Sequence, residues 1–138
     1  MAGKAEAGDI GERMDRLHLR ERLAGHLLEI CRGSRLAAEL SFSSIPIIGE
    51  ALDWVKQGVA TGASTRNWAG YGHEVEFSGE EWQRKVLTDP QTSGGLLVSC
   101  DPASLDEVLA IFRRHGFDAA ARIGQVADAG AGALLQVR

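Results

Sequence analysis

Basic residues are not in excess here: 15 lysines and arginines stand against 19 aspartates and glutamates, a formal charge of -4. A general nucleic-acid binder needs the opposite balance, so that class of partner is set aside. No apolar run approaches the roughly 20 residues that cross a bilayer. The first residues are small or charged and contain no apolar segment of a secretory signal. Together these absences point to a cytoplasmic protein with no membrane partner. Cysteine is scarce. Cys31 and Cys100 lie far apart and lack metal-ligand spacing, so both are expected to be reduced core thiols. Paired histidines at metal spacing, a Ser/His/Asp order and a glycine-lysine-serine phosphate loop are all missing. The residues alone therefore offer no catalytic group and no metal set.

What is present suits one globular domain. A chain of 138 residues that is 44% apolar and 25% charged can bury roughly two-thirds of its unfolded surface. The densest local signal is the stretch Leu87-Thr88-Asp89-Pro90-Gln91-Thr92-Ser93-Gly94-Gly95-Leu96-Leu97-Val98. Proline excludes its predecessor from helical geometry, so a preceding helix ends at Asp89. Thr92 to Gly95 is a hydroxyl-rich turn whose glycines admit left-handed backbone angles. Such a turn exposes amides that can hold an anion, or it simply connects two elements. A second polar group, Thr65-Arg66-Asn67, combines a hydroxyl with a guanidinium fork suited to phosphate or carboxylate. Its alternative is a solvated surface loop.

The remaining pattern is mixed. Apolar residues from Met14 to Cys31 recur at helical spacing, with Asp9 and Glu12 at the start and Gly33 as the stop. His26 in that helix reads as a hydrogen-bonded structural residue. Alternation over 37–42 predicts a half-buried strand, and 49–57 a short helix with Trp54 turned inward. Residues 58–71 lack periodicity and read as loop. A strand over 72–77 is followed by a helix over 79–87 capped by Ser78. Leu96 to Cys100 reads as a strand. Asp101 and Pro102 open a helix that buries Leu105, Val108, Leu109 and Phe112 and stops at Gly116. Residues 119–126 and 133–137 read as two strands able to pair as a hairpin. The sum is an α+β domain, a mixed or antiparallel sheet with helices sharing one core.

At Leu87 to Leu97 the chain resembles selenophosphate synthetase (selenide, water dikinase). Ala24 to Glu29, Thr65-Arg66-Asn67, Tyr71-Gly72-His73 and Ile123-Gly124 agree in the same order, so the resemblance covers residues 23–138. It is to the C-terminal domain, which is shared with the aminoimidazole ribonucleotide synthetase-like superfamily. That implies an α+β, three-layer arrangement with a mixed sheet flanked by helices. The family makes selenophosphate from selenide, ATP and water, releasing AMP and phosphate, with magnesium. Its reactive cysteine or selenocysteine, its lysine and most metal-binding aspartates belong to an N-terminal domain. Neither Cys31 nor Cys100 matches that nucleophile.

The resemblance departs at Arg16-Leu17-His18-Leu19-Arg20-Glu21-Arg22, where the family has Thr-Asp-Val-Thr-Gly-Phe-Gly. Its metal-holding aspartate has no counterpart, and Asp15 lies one position off. Residues 1–22 are thus expected to be an atypical segment before a family domain at 23–138. The implied role is one wall of a nucleotide site, with Thr65, Arg66, Asn67, Asp89, Gln91, Thr92, Ser93, Gly94 and Gly95 on the phosphate side. Catalytic groups and tight ATP or magnesium binding are not expected of this chain alone. Its implied partner is the N-terminal catalytic domain, and a homo-oligomer is compatible. The alternative is a stand-alone, non-catalytic paralogue that binds a partner protein or a nucleotide.

Overall fold

A computed structural model describes residues 23–91 and 95–138. The expected helix start at Asp9, with Met14 and Leu17, and the turn residues Thr92, Ser93 and Gly94 lie outside the described residues. In chain order the elements are α1 (Leu23–Ser34), β1 (Leu36–Leu40), α2 (Gly49–Lys56), α3 (Gly62–Tyr71), β2 (Val75–Phe77), α4 (Glu81–Thr88), α5 (Leu105–Arg114), β3 (Gly124–Asp128) and β4 (Leu135–Val137), with three short 3₁₀ turns between them. The described fold is α+β, built on one mixed four-stranded sheet ordered β2-β4-β1-β3. None of its helices is long and apolar enough to cross a membrane.

The core forms where α1 crosses the sheet. Ala24, Leu27, Leu28 and Cys31 fall on one helical face and are buried with Ala38 and Leu40 of β1, Leu135 and Val137 of β4, Phe42 and Leu87. Burial pushes the Cys31 thiol up, against the charge of Arg32, so it stays protonated as a packing group. The α1 stop differs from expectation. Gly33 lies inside the helix, and Arg35 takes the left-handed conformation at φ 59°. At Gly116 the expected glycine stop is present, with φ 85°. Asp101 also behaves as expected, its Oδ1 accepting from the Ala103 amide at 2.8 Å.

The sheet corrects several expectations. β3 and β4 do not form a hairpin: β1 lies between them, antiparallel to β3 and parallel to β4. Alternation marks which residues face a core but not which strand lies alongside. Ala38 and Leu40, buried in the centre, take both partners. Strand β2 covers only Val75 to Phe77, because Gly72 to Glu74 form a 3₁₀ turn. Leu96 to Cys100 forms no strand: Leu97 touches the core, while Leu96 is 58% and Val98 46% exposed. Cys100 is exposed rather than a core thiol.

The helices also depart from the one-core picture. Trp54 is exposed, although Lys56 beside it sits 5.0 Å from the centre of the Trp82 ring. α5 has no buried residue. Leu105, Val108, Leu109 and Phe112 are only half-buried, and none joins the core cluster. Helix α4 is capped by Glu80 rather than Ser78. The Gln83 side-chain oxygen accepts from the Glu80 backbone amide at 2.7 Å, and the Glu80 carboxylate accepts from the Gln83 backbone amide. The capping box thus starts two residues later than the serine suggested.

Candidate functional site

The largest correction to the expected structure falls on residues 58–71, where Gly62–Tyr71 is a ten-residue helix. Its inward face carries polar residues, so no hydrophobic period reveals it. Ser64 and Asn67, three apart and hence on one side, are its buried residues. They face the end of α4. Asn67 Nδ2 donates to the Thr88 carbonyl at 2.9 Å. Thr88 Oγ1 donates back to the Arg84 carbonyl at 2.9 Å. The Ser64 and Thr88 hydroxyls share a short bond, and Ser64 Oγ also lies 3.4 Å from the Lys85 carbonyl. Trp68 on the neighbouring face lies edge-on to Phe77 at 6.0 Å and takes the Arg84 guanidinium at 5.4 Å.

This polar seam satisfies the last carbonyls of α4 and so holds the base of the Asp89-Pro90 turn. Just outside it, Thr61 Oγ1 donates to Asp89 Oδ1 at 3.5 Å, a long bond from the start of α3 to the end of α4. Arg66 is exposed and folds back along its own helix. A β-carbon added at Gly62 would lie 3.7 Å from its Nη1. The guanidinium therefore stands by the first turn of α3, the helix that Thr61 precedes.

The residues singled out in the sequence consequently divide. Asn67 is a buried structural clamp. Thr65, Arg66 and Gln91 are exposed, Asp89 is half-buried, and Gly95 is exposed. Thr61 bonds Asp89, while Arg66 lies along the first turn of the helix that Thr61 precedes. Thr92, Ser93 and Gly94 lie outside the described residues. Gly95 is not in the left-handed region, and a β-carbon there would meet nothing within 4 Å. The expected need for a positive backbone angle fails at that position. Sequence reasoning missed Thr61, Ser64 and Thr88. The three-residue spacing of Ser64 and Asn67 was the available signal, masked by reading the flanking glycines as loop punctuation.

Burial raises the Asp89 carboxyl above its usual range, with the Thr61 bond opposing. Its protonated form is thus more favoured in the folded chain than in the unfolded one. Folding takes up a proton here, so the favourable contribution is full below the unfolded carboxylate range and is lost as pH rises through the raised value. Asp89→Asn removes that titration. Thermal melts should show the variant gaining stability over the parent near neutral pH and not near pH 3. Equal differences at both ends would count against a desolvated carboxylate.

Among the described residues, no group of three or more His, Cys, Asp or Glu could hold a metal ion. The described residues do not fit a magnesium site. An exposed guanidinium and hydroxyl, by contrast, fit the face of a phosphate group.

Comparison with known proteins gives this arrangement a context. Residues 23–135 match the family model described as AIR synthase related protein, C-terminal domain. A selenide, water dikinase of Dechloromonas aromatica (strain RCB) is 48% identical over 108 residues, 77% of this chain and 31% of that relative. One from Burkholderia cenocepacia is 49% identical over 108 residues, 77% of this chain and 30% of the relative. One from Photorhabdus laumondii is 44% identical over 115 residues, 82% of this chain and 32% of the relative. The chain thus spans about a third of the length of the curated relatives it matches. With its α+β fold and a match from Leu23 to Leu135, the chain belongs to the AIR synthase related family through that family's C-terminal domain.

Proposed function

We propose that residues 23–138 act as the C-terminal part of a selenide, water dikinase, closing one wall of a nucleotide site whose reactive groups lie in an N-terminal domain. The observation that carries this reading is the juxtaposition at the start of α3. Arg66 is exposed along the first turn of α3, and Thr61, at the start of that helix, reaches Asp89 just before Pro90. In this reading Arg66 and Thr65 face the phosphates of ATP, and the turn amides add further donors. Magnesium is held by the partner domain, since the donors described here do not suit it. The work of this wall is to orient phosphate and exclude water, with no proton or phosphoryl group passing through its residues.

Activity separates the wall from the reactive machinery. The purified chain given ATP, magnesium and selenide should form no AMP above background. Turnover by the chain alone would sink the partner-domain reading. A chimera in which residues 23–138 replace the corresponding part of the Dechloromonas relative should be active. In it, Arg66→Gln should lower kcat/KM for ATP about tenfold, the scale of one lost charge-assisted hydrogen bond. An unchanged kcat/KM would leave Arg66 as a solvated side chain.

A further inference from the structure

A cleft of about 340 Å³ opens at the carboxyl ends of β1 and β4, lined by Glu39, Leu40, Ser41, Ser44, Arg122, Ile123, Gly124, Gln125 and Arg138. It shares no residue with the Arg66–Asp89 region. Its construction follows from the register. Leu40 pairs with Gly124 and with Val137, so the chain leaving β1, the chain entering β3 and the chain leaving β4 meet at one end of the sheet. The Ser41 amide donates to the Ile123 carbonyl at 2.8 Å, and the Phe42 amide to the Arg138 carbonyl at 2.8 Å. Those bonds hold Ser41, Ile123 and Arg138 around the opening.

The side chains there are ordered by one another. Arg122 donates through Nε to the Gly124 carbonyl at 3.3 Å and through Nη2 to Gln125 Oε1 at 3.1 Å. Both acceptors are neutral, and the Glu39 carboxylate of the same lining connects to Arg122 only through Gln125. Gln125 Nε2 donates to Glu39 Oε2 at 3.2 Å, and Arg138 Nη2 lies 3.6 Å from Glu39 Oε1. The Ser44 hydroxyl donates to Ser41 Oγ at 3.1 Å. The result is a guanidinium held by neutral acceptors, a second guanidinium paired with Glu39 and bonded to Gln136, two hydroxyls, and an apolar floor of Leu40 and Ile123. Held donors lose less freedom on binding than free ones.

The geometry points to a binding site for a small phosphate monoester of a polyol. The Arg122 fork matches the oxygens of a phosphate group, and Arg138 adds a second cation beside Glu39. The Ser41 and Ser44 hydroxyls can turn to donate to it. Glu39 and Gln125 supply acceptors that suit sugar hydroxyls. An opening of this size has room for a group larger than a bare anion. This site is independent of the proposed nucleotide wall and would stand if that reading failed.

Amide chemical-shift titration of the full 138-residue chain tests it, with inorganic phosphate, ribose 5-phosphate and ribose as probes. Ribose 5-phosphate should shift Ser41, Ser44 and residues 123–125 saturably, at a Kd on the order of 1 mM. Phosphate should bind the same residues several-fold more weakly, and ribose should leave them unmoved. Arg122→Gln should weaken ribose 5-phosphate binding at least about tenfold, and Arg122→Lys by less, since lysine keeps the charge and loses the fork. Arg113→Gln, on exposed α5 away from the cleft, should change nothing. If Arg122→Gln does not give a folded spectrum, Arg138→Gln takes its place. Shifts that do not saturate, equal weakening by Arg113→Gln, or calcium moving the same amides where phosphate does not would each overturn the proposal.

Discussion

Gly124→Ala should cost about 3 kcal/mol of stability, at the upper end of overpacking costs and well beyond an ordinary surface substitution. At the first residue of β3, Gly124 faces the chain of β1 so closely that an added β-carbon would land on the Glu39 carbonyl oxygen. It would also lie 3.2 Å from the Leu40 Cα. Those neighbours are backbone atoms of the central strand. They cannot swing aside as a side chain end would, so β3 must shift away and loosen its pairing with β1. For a chain of this size the melting temperature should fall by roughly 10 °C. Gly95→Ala is the matched comparison. No atom crowds that position and its backbone is not left-handed, so the change should stay within about 0.5 kcal/mol. Thermal unfolding followed by circular dichroism measures both. If Gly95→Ala proves as damaging as Gly124→Ala, the close approach of β3 to β1 is not what makes glycine necessary.

Leu28→Ala should cost a comparable amount, about 2–5 kcal/mol, through a cavity under α1. Leu28 is fully buried where α1 crosses β1 and β4, among Leu40, Leu135 and Leu87. The surrounding elements come from distant parts of the chain, so collapse around the gap would have to move the sheet. Against a total stability of about 5–15 kcal/mol, that loss is a large fraction. Leu105→Ala on α5 should cost under about 1 kcal/mol, because that side chain is half-buried and outside the core cluster. Denaturant unfolding of the two variants tests where the core lies. Equal losses would mean that α5 contributes as much as α1.

The same contrast shows how far composition and periodicity reach. α1, β1, α2, α4 and α5 follow from apolar spacing, because each repeats the period of its own backbone. The Asp101 cap and the Gly116 stop were equally legible, since each satisfies a helix end through its immediate neighbours. α3 was not legible. Its buried face is Ser64 and Asn67, and polar side chains are buried only when distant partners such as Thr88 accept their bonds. No local pattern announces such a partner. Leu96 to Val98 failed in the opposite sense: strand-forming side chains were present, but no neighbouring strand pairs with them.

For the candidate site the division is similar. Arg66 and Asp89 stood out by residue type, and Thr61, which bonds Asp89, did not. Asn67 was chosen for the right chemistry and the wrong task, since its amide supports the Thr88 carbonyl from inside the fold. Arg122 carries no motif at all. It becomes a candidate only because two strand ends and one strand start converge around it.

By itself, the order of residues determined the α+β class, the helical faces and the end of α4 before Pro90, because each is a short-range property of backbone and side chain. Tertiary structure alone decided that β1 separates β3 from β4, that a run of glycines and hydroxyls winds into α3, and that Arg122 stands over a cleft. Those outcomes depend on which distant groups satisfy one another once water is excluded, and separation along the chain carries no record of that.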